Sequence, residues 1–135
     1  MTAEPDPPIL ILFVDDEELI FEVVKEALEE GGFTVRPAHT AEAAMAALEK
    51  GANELAGLIT DINLGSTTTG WKIARRAREL RPDLPVVYTS GYAASEWPAE
   101  GVPHSTMISK PYAPAQIVTA ISALMNKAGS QPRSA

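Results

Sequence analysis

Three aspartates offer the clearest chemistry in this chain: the adjacent pair Asp15-Asp16, and Asp61. Each follows a short apolar run that predicts a buried strand, residues 9–14 before the pair and residues 58–60 before Asp61. Carboxylates that end neighbouring strands would crowd one edge of a sheet, where like charges repel strongly in a partly dry site. A hard cation relieves that repulsion, and oxygen ligands without His or Cys suit Mg²⁺, with Mn²⁺ as the alternative.

Two more residues follow later predicted strands and complete the set. Ser90 follows the fourth strand (residues 85–89), and Lys110 follows the fifth, which is marked by residues 107–108. Hydroxyl and ammonium groups donate hydrogen bonds to anionic oxygens, whereas carboxylates hold a cation. Such a pocket suits phosphoryl transfer, because a metal and a lysine neutralise charge and a carboxylate can be the nucleophile.

Alternating strand and helix patterns position these residues. The predicted strands cover residues 9–14, 33–37, 55–60, 85–89 and 107–108, and the predicted helices cover 17–30, 41–50, 71–80, a short stretch within 92–101, and 114–127. The alternation predicts an α/β fold with a five-stranded parallel sheet covered on both faces. The common order for five such strands is 2-1-3-4-5, the flavodoxin-like doubly wound (βα)5 arrangement. Ligands of that fold bind beyond the carboxyl ends of strands 1 and 3, where the aspartates lie.

The motifs together resemble the receiver domains of bacterial two-component response regulators, such as the chemotaxis regulator, over roughly residues 9–127. One motif matches at each strand end: Asp15-Asp16, Asp61 in Asp61-Ile62-Asn63-Leu64-Gly65, Ser90 in Thr89-Ser90-Gly91-Tyr92, and Lys110-Pro111. The resemblance implies that Asp61 accepts a phosphoryl group from a phosphohistidine of a histidine kinase or a histidine phosphotransfer protein. It also implies a phosphorelay signalling module rather than an enzyme, with at most self-phosphorylation and self-dephosphorylation.

The resemblance further implies a metal set and two anion-binding residues. Asp16, Asp61 and the backbone carbonyl of Asn63 would bind Mg²⁺ directly, and Asp15 would act mainly through a bound water. Lys110 would pair with Asp61 and then with the phosphate.

Later motifs carry the expected response to phosphorylation. Ser90 would turn inward to a phosphate oxygen, and the Lys110-Pro111 peptide would be cis, as only a bond before proline commonly is. Met107 stands where many receivers carry an aromatic residue that rotates inward on activation. An aromatic-rotamer switch is therefore not expected here.

The first predicted helix carries more apolar residues than one buried stripe needs. We expect Ile20, Val23 and Val24 on its inward face, and Phe21 with Leu19 partly exposed. The resemblance implies that the partner kinase or phosphotransfer protein docks near this helix, at Leu19, Ile20, Phe21 and Val23. A homodimer is left open.

Composition limits the other functions. The net charge of −7 argues against direct DNA binding, which needs a basic face. No apolar run reaches membrane-span length, and residues 1–8 lack the basic and apolar blocks of a signal peptide, so a cytoplasmic protein is expected. We expect a disordered segment over residues 1–8, one domain over 9–128 and a flexible tail over 129–135.

Two alternatives share parts of this pattern. A Mg²⁺-dependent phosphatase of the haloacid dehalogenase type also has an aspartate nucleophile, but it would show Asp-x-Asp after the first strand and a cap. A nucleotide- or flavin-binding domain would show a Gly-rich phosphate loop there. Since no output domain fits after Ala128, the expectation is a stand-alone receiver, with an excised piece of a longer protein as the alternative.

Overall fold

A computed structural model describes residues 8–130 of the chain as five strands and five helices connected in alternation. The strands are β1 (Leu10–Val14), β2 (Thr34–Ala38), β3 (Leu55–Asp61), β4 (Val86–Ser90) and β5 (Ser105–Ser109). The helices are α1 (Glu18–Glu30), α2 (Ala41–Gly51), α3 (Gly70–Leu80), α4 (Trp97–Glu100) and α5 (Pro114–Ser130), with 3₁₀ turns at Ala52–Glu54 and Ala94–Glu96.

The sheet is parallel and its order is β2-β1-β3-β4-β5, which confirms the predicted fold class and strand order. Asp61 and Ser90 were expected to follow their strands but are the last residues of β3 and β4, so each of these strands ends one residue later than predicted. Asp61 pairs in register with Thr89. Pro37 is tolerated because β2 is an edge strand. The parallel order brings the carboxyl ends of β1 and β3 side by side.

Two apolar clusters cover the sheet, one on each face. Leu12, Leu58 and Val86 point towards α2 and α3, and the next residues along each strand, Phe13, Ile59 and Val87, point towards α1 and α5. This alternation is the period of two that a strand imposes on its side chains. Both faces of β1, β3 and β4 are therefore buried, as continuous apolar runs predict.

Helix α1 is rotated relative to the prediction. Phe21 is buried at 2% exposure and Val23 is 54% exposed, so the expected exposure of Phe21 and burial of Val23 were both wrong. The inward stripe is Phe21, Val24 and Leu28, because the Phe21 ring stacks on Phe13 of β1 with centroids 4.9 Å apart. Consecutive apolar residues along α1 left its phase ambiguous in the sequence, and this aromatic pair sets it.

Side chains and backbone geometry define the helix ends. Thr40 caps α2 as expected, since its Oγ1 accepts a hydrogen bond from the Ala43 N–H at 3.0 Å. The helix expected within 92–101 is short: one 3₁₀ turn followed by four α-helical residues. Helix α5 continues to Ser130 rather than ending near Lys127. The expectations for the two chain ends fall mainly on residues 1–7 and 131–135, which lie outside the described residues.

Arg78 of α3 connects this helix to two other segments of the fold. The Arg78 guanidinium donates to the carbonyl oxygens of Leu84, Pro103 and His104, at 2.7, 2.6 and 3.0 Å. It thereby ties α3 to the segments that precede β4 and β5.

None of the helices in the described part of the chain has the length and apolarity needed to cross a bilayer.

Candidate functional site

Three carboxylates meet at the carboxyl edge of the sheet. Asp15 directly follows β1, Asp16 is next to it, and Asp61 ends β3; one oxygen from each lies within 4.8 Å of the others. Asp15 is fully buried and Asp61 is 4% exposed, whereas Asp16 is exposed. The residues expected to cluster are thus brought together in space.

Lys110 reaches the cluster from the loop after β5. Its Nζ lies 2.8 Å from Asp61 Oδ2 and 3.8 Å from Asp15 Oδ2. The Lys110 backbone N–H donates to the Ser90 carbonyl at 2.8 Å, which fixes the loop to the end of β4. The Lys110-Pro111 peptide is cis. The lysine and the two buried aspartates therefore form one charged group.

Burial dominates the electrostatics of the two buried acids. Burial raises the pKa of the Asp15 carboxyl from 3.8 to about 6, against the lowering effects of the Glu17 backbone N–H and the Lys110 ammonium. Burial likewise raises the pKa of Asp61, although Lys110 and the backbone N–H groups of Asn63 and Ile62 donate to it. The charged form of each carboxylate is therefore disfavoured by its surroundings.

Lys110 behaves in the opposite way. Burial lowers the pKa of its ammonium, but the hydrogen bonds to Asp61 and Glu17 outweigh burial, and the pKa rises above its ordinary value. Lys110 is consequently a fixed positive charge at the site at all physiological pH values.

The residues present fit a hard divalent cation. Asp15 Oδ2 is buried and has no hydrogen-bond partner among the described residues, although an unpaired buried carboxylate oxygen is costly. The three carboxylates supply oxygen donors only, the ligand type that suits Mg²⁺ and Mn²⁺. A cation at this edge would satisfy the orphaned oxygen and relieve the repulsion between Asp15 and Asp61.

Ser90 is at the site but its hydroxyl is engaged elsewhere. Ser90 is fully buried, and its Oγ accepts hydrogen bonds from the N–H groups of Tyr92 and Ala93, at 3.2 and 2.7 Å. Its neighbour Thr89, which pairs in register with Asp61, has a buried Oγ1 without a partner among residues 8–130. The Ser90 hydroxyl, which was expected to bind phosphate, therefore holds the loop after β4.

Glu17 also belongs to the charged group, although the sequence did not predict it as a site residue. Its Oε1 lies 3.0 Å from Lys110 Nζ, and its backbone N–H donates to Asp15 Oδ1 at 2.8 Å. Its position directly after the acidic pair was the available signal, but a contact between residues 93 positions apart leaves no local pattern.

Gly70 was also missed. A β-carbon at this position would overlap the Asp61 carbonyl oxygen and lie 2.9 Å from Ile62 Cα. The Gly70 N–H donates to the Ile62 carbonyl at 2.9 Å, so α3 begins against the backbone of the site. A glycine at the first position of a helix, directly after a polar loop, was the signal for such a close approach.

An open apolar groove lies beside the charged group. Its lining comes from α1 and from the segment after β5: Leu19, Ile20, Val23, Val24, Pro111, Tyr112 and Pro114, with Glu17 and Lys110 at one end. Leu19 is 85% exposed. Phe21, which was expected at this surface, faces the core instead, while His39 lies next to the site with its Nδ1 3.4 Å from the Asp15 carbonyl oxygen.

Comparisons with known proteins agree with this arrangement. A family model for the response regulator receiver domain matches residues 11–122. A solved response regulator receiver protein of Sinorhizobium medicae is 39% identical with a TM-score of 0.85, covering 90% of this chain and 97% of that chain. A CheY-like receiver domain protein of Methanospirillum hungatei is 28% identical with a TM-score of 0.77, covering 90% and 97%.

Two curated proteins are also similar in sequence. The phosphate regulon transcriptional regulatory protein PhoB of Pseudomonas aeruginosa is 29% identical over 88% of this chain, and the sensor kinase CckA of Brucella abortus is 25% identical over 87%. The chain spans 52% of the length of the first protein and 12% of the second. The likeness thus concerns one domain of each.

Proposed function

We propose, since the chain belongs to the response regulator receiver family, that Asp61 accepts a phosphoryl group from a phosphohistidine of a histidine kinase or histidine phosphotransfer protein. The observation that carries this proposal is the Lys110 ammonium 2.8 Å from a buried Asp61 carboxylate, beside two further aspartates. A receiver is a signalling domain, and the proposed output is a change in protein contacts or a relay of the phosphoryl group.

In the proposed transfer, an Asp61 carboxylate oxygen forms a bond to phosphorus while the bond from phosphorus to the imidazole nitrogen breaks. The Lys110 ammonium, already within reach of Asp61, would bind a phosphoryl oxygen and neutralise part of its charge. Asp15, Asp16, Asp61 and the backbone carbonyl of Asn63 would hold the cation. When bound, Mg²⁺ supplies charge neutralisation to the phosphoryl oxygens.

Ser90 provides the proposed link to the rest of the domain. To donate to a phosphoryl oxygen, its hydroxyl must turn away from the N–H groups of Tyr92 and Ala93, which then lose their acceptor. The loop between β4 and α4 would rearrange to satisfy them. Such contacts, made in one state only, are what shift a two-state equilibrium.

The partner surface we propose is the apolar groove beside the site. Leu19, Ile20 and Val23 are accessible there and lie next to Lys110, so a helix of a histidine kinase or phosphotransfer protein could bring its phosphohistidine to Asp61. Phe21 was predicted to be one of the docking residues, but it is buried and is not part of the proposed partner surface.

Direct labelling tests the proposed acceptor. The protein is incubated with Mg²⁺ and acetyl phosphate, and its intact mass is measured with and without a chelator. We expect addition of one phosphoryl group that requires Mg²⁺ and is absent in Asp61→Asn. The matched control is Asp83→Asn, an exposed surface aspartate that pairs with Arg81, which should label like the wild type. Label that persists in Asp61→Asn would contradict the assignment.

Labelling together with a phosphomonoester turnover assay separates this function from the haloacid dehalogenase alternative. The receiver family match covers residues 11–122, and Asp61 ends β3, whereas those phosphatases place the nucleophile after the first strand. Labelling that stops near one phosphoryl group per chain is expected. Sustained turnover of phosphomonoesters would instead support the phosphatase.

A further inference from the structure

The Lys110 ammonium is shared between two carboxylates. It donates to Asp61 Oδ2 at 2.8 Å and to Glu17 Oε1 at 3.0 Å, and Asp15 Oδ2 lies further away at 3.8 Å. The lysine side chain is 15% exposed, while that of Glu17 is 54% exposed. Asp61 therefore holds the buried side of the ammonium, and Glu17 holds its solvent side.

The backbone fixes Glu17 in this position. Its N–H donates to Asp15 Oδ1 at 2.8 Å, and its carbonyl accepts the first hydrogen bond of α1, from the Phe21 N–H at 2.9 Å. Glu17 occupies the N-cap position, yet its side chain caps no helix N–H group. The carboxylate is thus free of the usual local role and is directed to Lys110 across the mouth of the site.

We infer that Glu17 is a positioning residue that acts through Lys110, by competing with the group on Asp61 for the ammonium. This inference rests on the proposed function. Before phosphorylation, the Lys110 ammonium donates to both Glu17 and Asp61. After it, Glu17 competes with the phosphoryl oxygens for the same ammonium. This competition disfavours the anion-bound state, so the carboxylate of Glu17 limits how tightly the site holds a phosphoryl group.

The first test addresses the contact in the resting, metal-free protein. The 15N signal of the Lys110 ammonium is recorded for the wild type, Glu17→Gln and Glu18→Gln. Glu18 is the matched control, because it is the adjacent exposed acid and its side chain makes no ion pair with a residue in 8–130. We expect the signal to shift in Glu17→Gln and to stay in place in Glu18→Gln. An unchanged signal in Glu17→Gln overturns the inference.

The second test measures the anion-bound state with beryllofluoride, a stable phosphoryl mimic, at saturating Mg²⁺. We expect Glu17→Gln to bind it about 3- to 10-fold more tightly than the wild type, a size typical of one hydrogen bond at a half-exposed position, and Glu18→Gln to change binding by less than about twofold. Equal effects of the two substitutions would reduce Glu17 to part of the general negative field and overturn the inference.

A double-mutant cycle shows whether the effect passes through the lysine. In a Lys110→Ala background, Glu17→Gln should change beryllofluoride binding no more than Glu18→Gln does. A full effect without Lys110 contradicts a positioning role. Failure of the wild type itself to bind beryllofluoride or to label on Asp61 would instead count against the proposed function, which distinguishes the two failures.

Discussion

Asp15 shows how the chemistry of one residue opposes the stability of the fold. Its carboxyl group is fully buried, one of its oxygens has no hydrogen-bond partner among residues 8–130, and its pKa is raised from 3.8 to about 6. A carboxyl whose pKa is higher in the folded than in the unfolded state favours folding only while it is protonated. Without a bound cation, its contribution is fully present below pH 3.8 and is lost as the pH rises through about 6.

We therefore expect Asp15→Asn to stabilise the metal-free protein at pH 7. The amide keeps an oxygen to accept the Glu17 N–H and removes the buried charge, and the gain in free energy of unfolding should be about 1–3 kcal/mol. The gain should shrink towards zero below about pH 4, where the wild-type carboxyl is protonated in both states. Urea unfolding in the presence of a chelator, at several pH values, measures both.

Asp16→Asn is the matched comparison for that experiment, because Asp16 belongs to the same cluster but is exposed. It should gain much less, within about 0.5 kcal/mol of the wild type, as surface substitutions usually are. A gain for Asp15→Asn that is equally large at pH 3.5 and pH 7 would show that the buried charge is not its cause.

At the scale of elements, the start of α3 is built against the end of β3, the strand that carries Asp61. Thr69 Oγ1 accepts a hydrogen bond from the Lys72 N–H, and Gly70 N–H donates to the Ile62 carbonyl, so the helix begins where β3 ends. Only a residue without a β-carbon fits there, because that atom would overlap the Asp61 carbonyl oxygen. The position of α3 and the backbone of Asp61 are thereby coupled.

We expect Gly70→Ala to lower both stability and phosphoryl acceptance. Backbone atoms cannot rotate away as a side chain can, so α3 or the end of β3 must shift, at a cost of about 1–3 kcal/mol. The shift would displace Asp61 from Lys110, and labelling by acetyl phosphate should slow by about tenfold or more. Urea unfolding and the rate of labelling report the two effects.

Gly91→Ala provides the control for a glycine at the same edge. A β-carbon at Gly91 meets no atom within 4 Å, so the substitution should change the free energy of unfolding by less than about 1 kcal/mol. If Gly70→Ala proved as mild as Gly91→Ala, the close approach of α3 would not constrain the site.

For the whole molecule, the sequence contained enough information to predict the sheet and the carboxyl-edge cluster. Apolar runs of strand length alternating with helical patterns allow few arrangements, and in a parallel sheet the residues at strand ends must share one edge. Asp15, Asp16, Asp61 and Lys110 accordingly lie together, although they come from three separate parts of the chain.

The remaining features depend on packing between distant segments. The phase of α1 was mispredicted because adjacent apolar residues fit more than one inward face, and the choice is made by the stacking of Phe21 on Phe13. The contact of Glu17 with Lys110 and the approach of Gly70 to Asp61 likewise join elements whose separation no local period encodes. Such contacts follow from the assembled fold rather than from any one segment.

A cation bound at one edge of the sheet is expected to stabilise the entire domain. Both apolar clusters pack on the same sheet, so we expect unfolding to be cooperative and a ligand of the folded state to stabilise all of it. Mg²⁺ at 100 times its Kd should add about 2.7 kcal/mol to the free energy of unfolding.

Asp16→Asn should lose most of that gain, since its carboxylate is a proposed ligand whose exposure makes the substitution mild in the metal-free protein. Ionic strength must be held constant with NaCl, because the chain carries a net charge of −7 and any salt weakens its self-repulsion. Thermal and urea unfolding with and without Mg²⁺ measure the gain. An equal gain in the wild type and Asp16→Asn would mean that Mg²⁺ acts by screening this charge, because a cation bound by Asp16 must stabilise the protein that retains its ligand more than the one that lacks it.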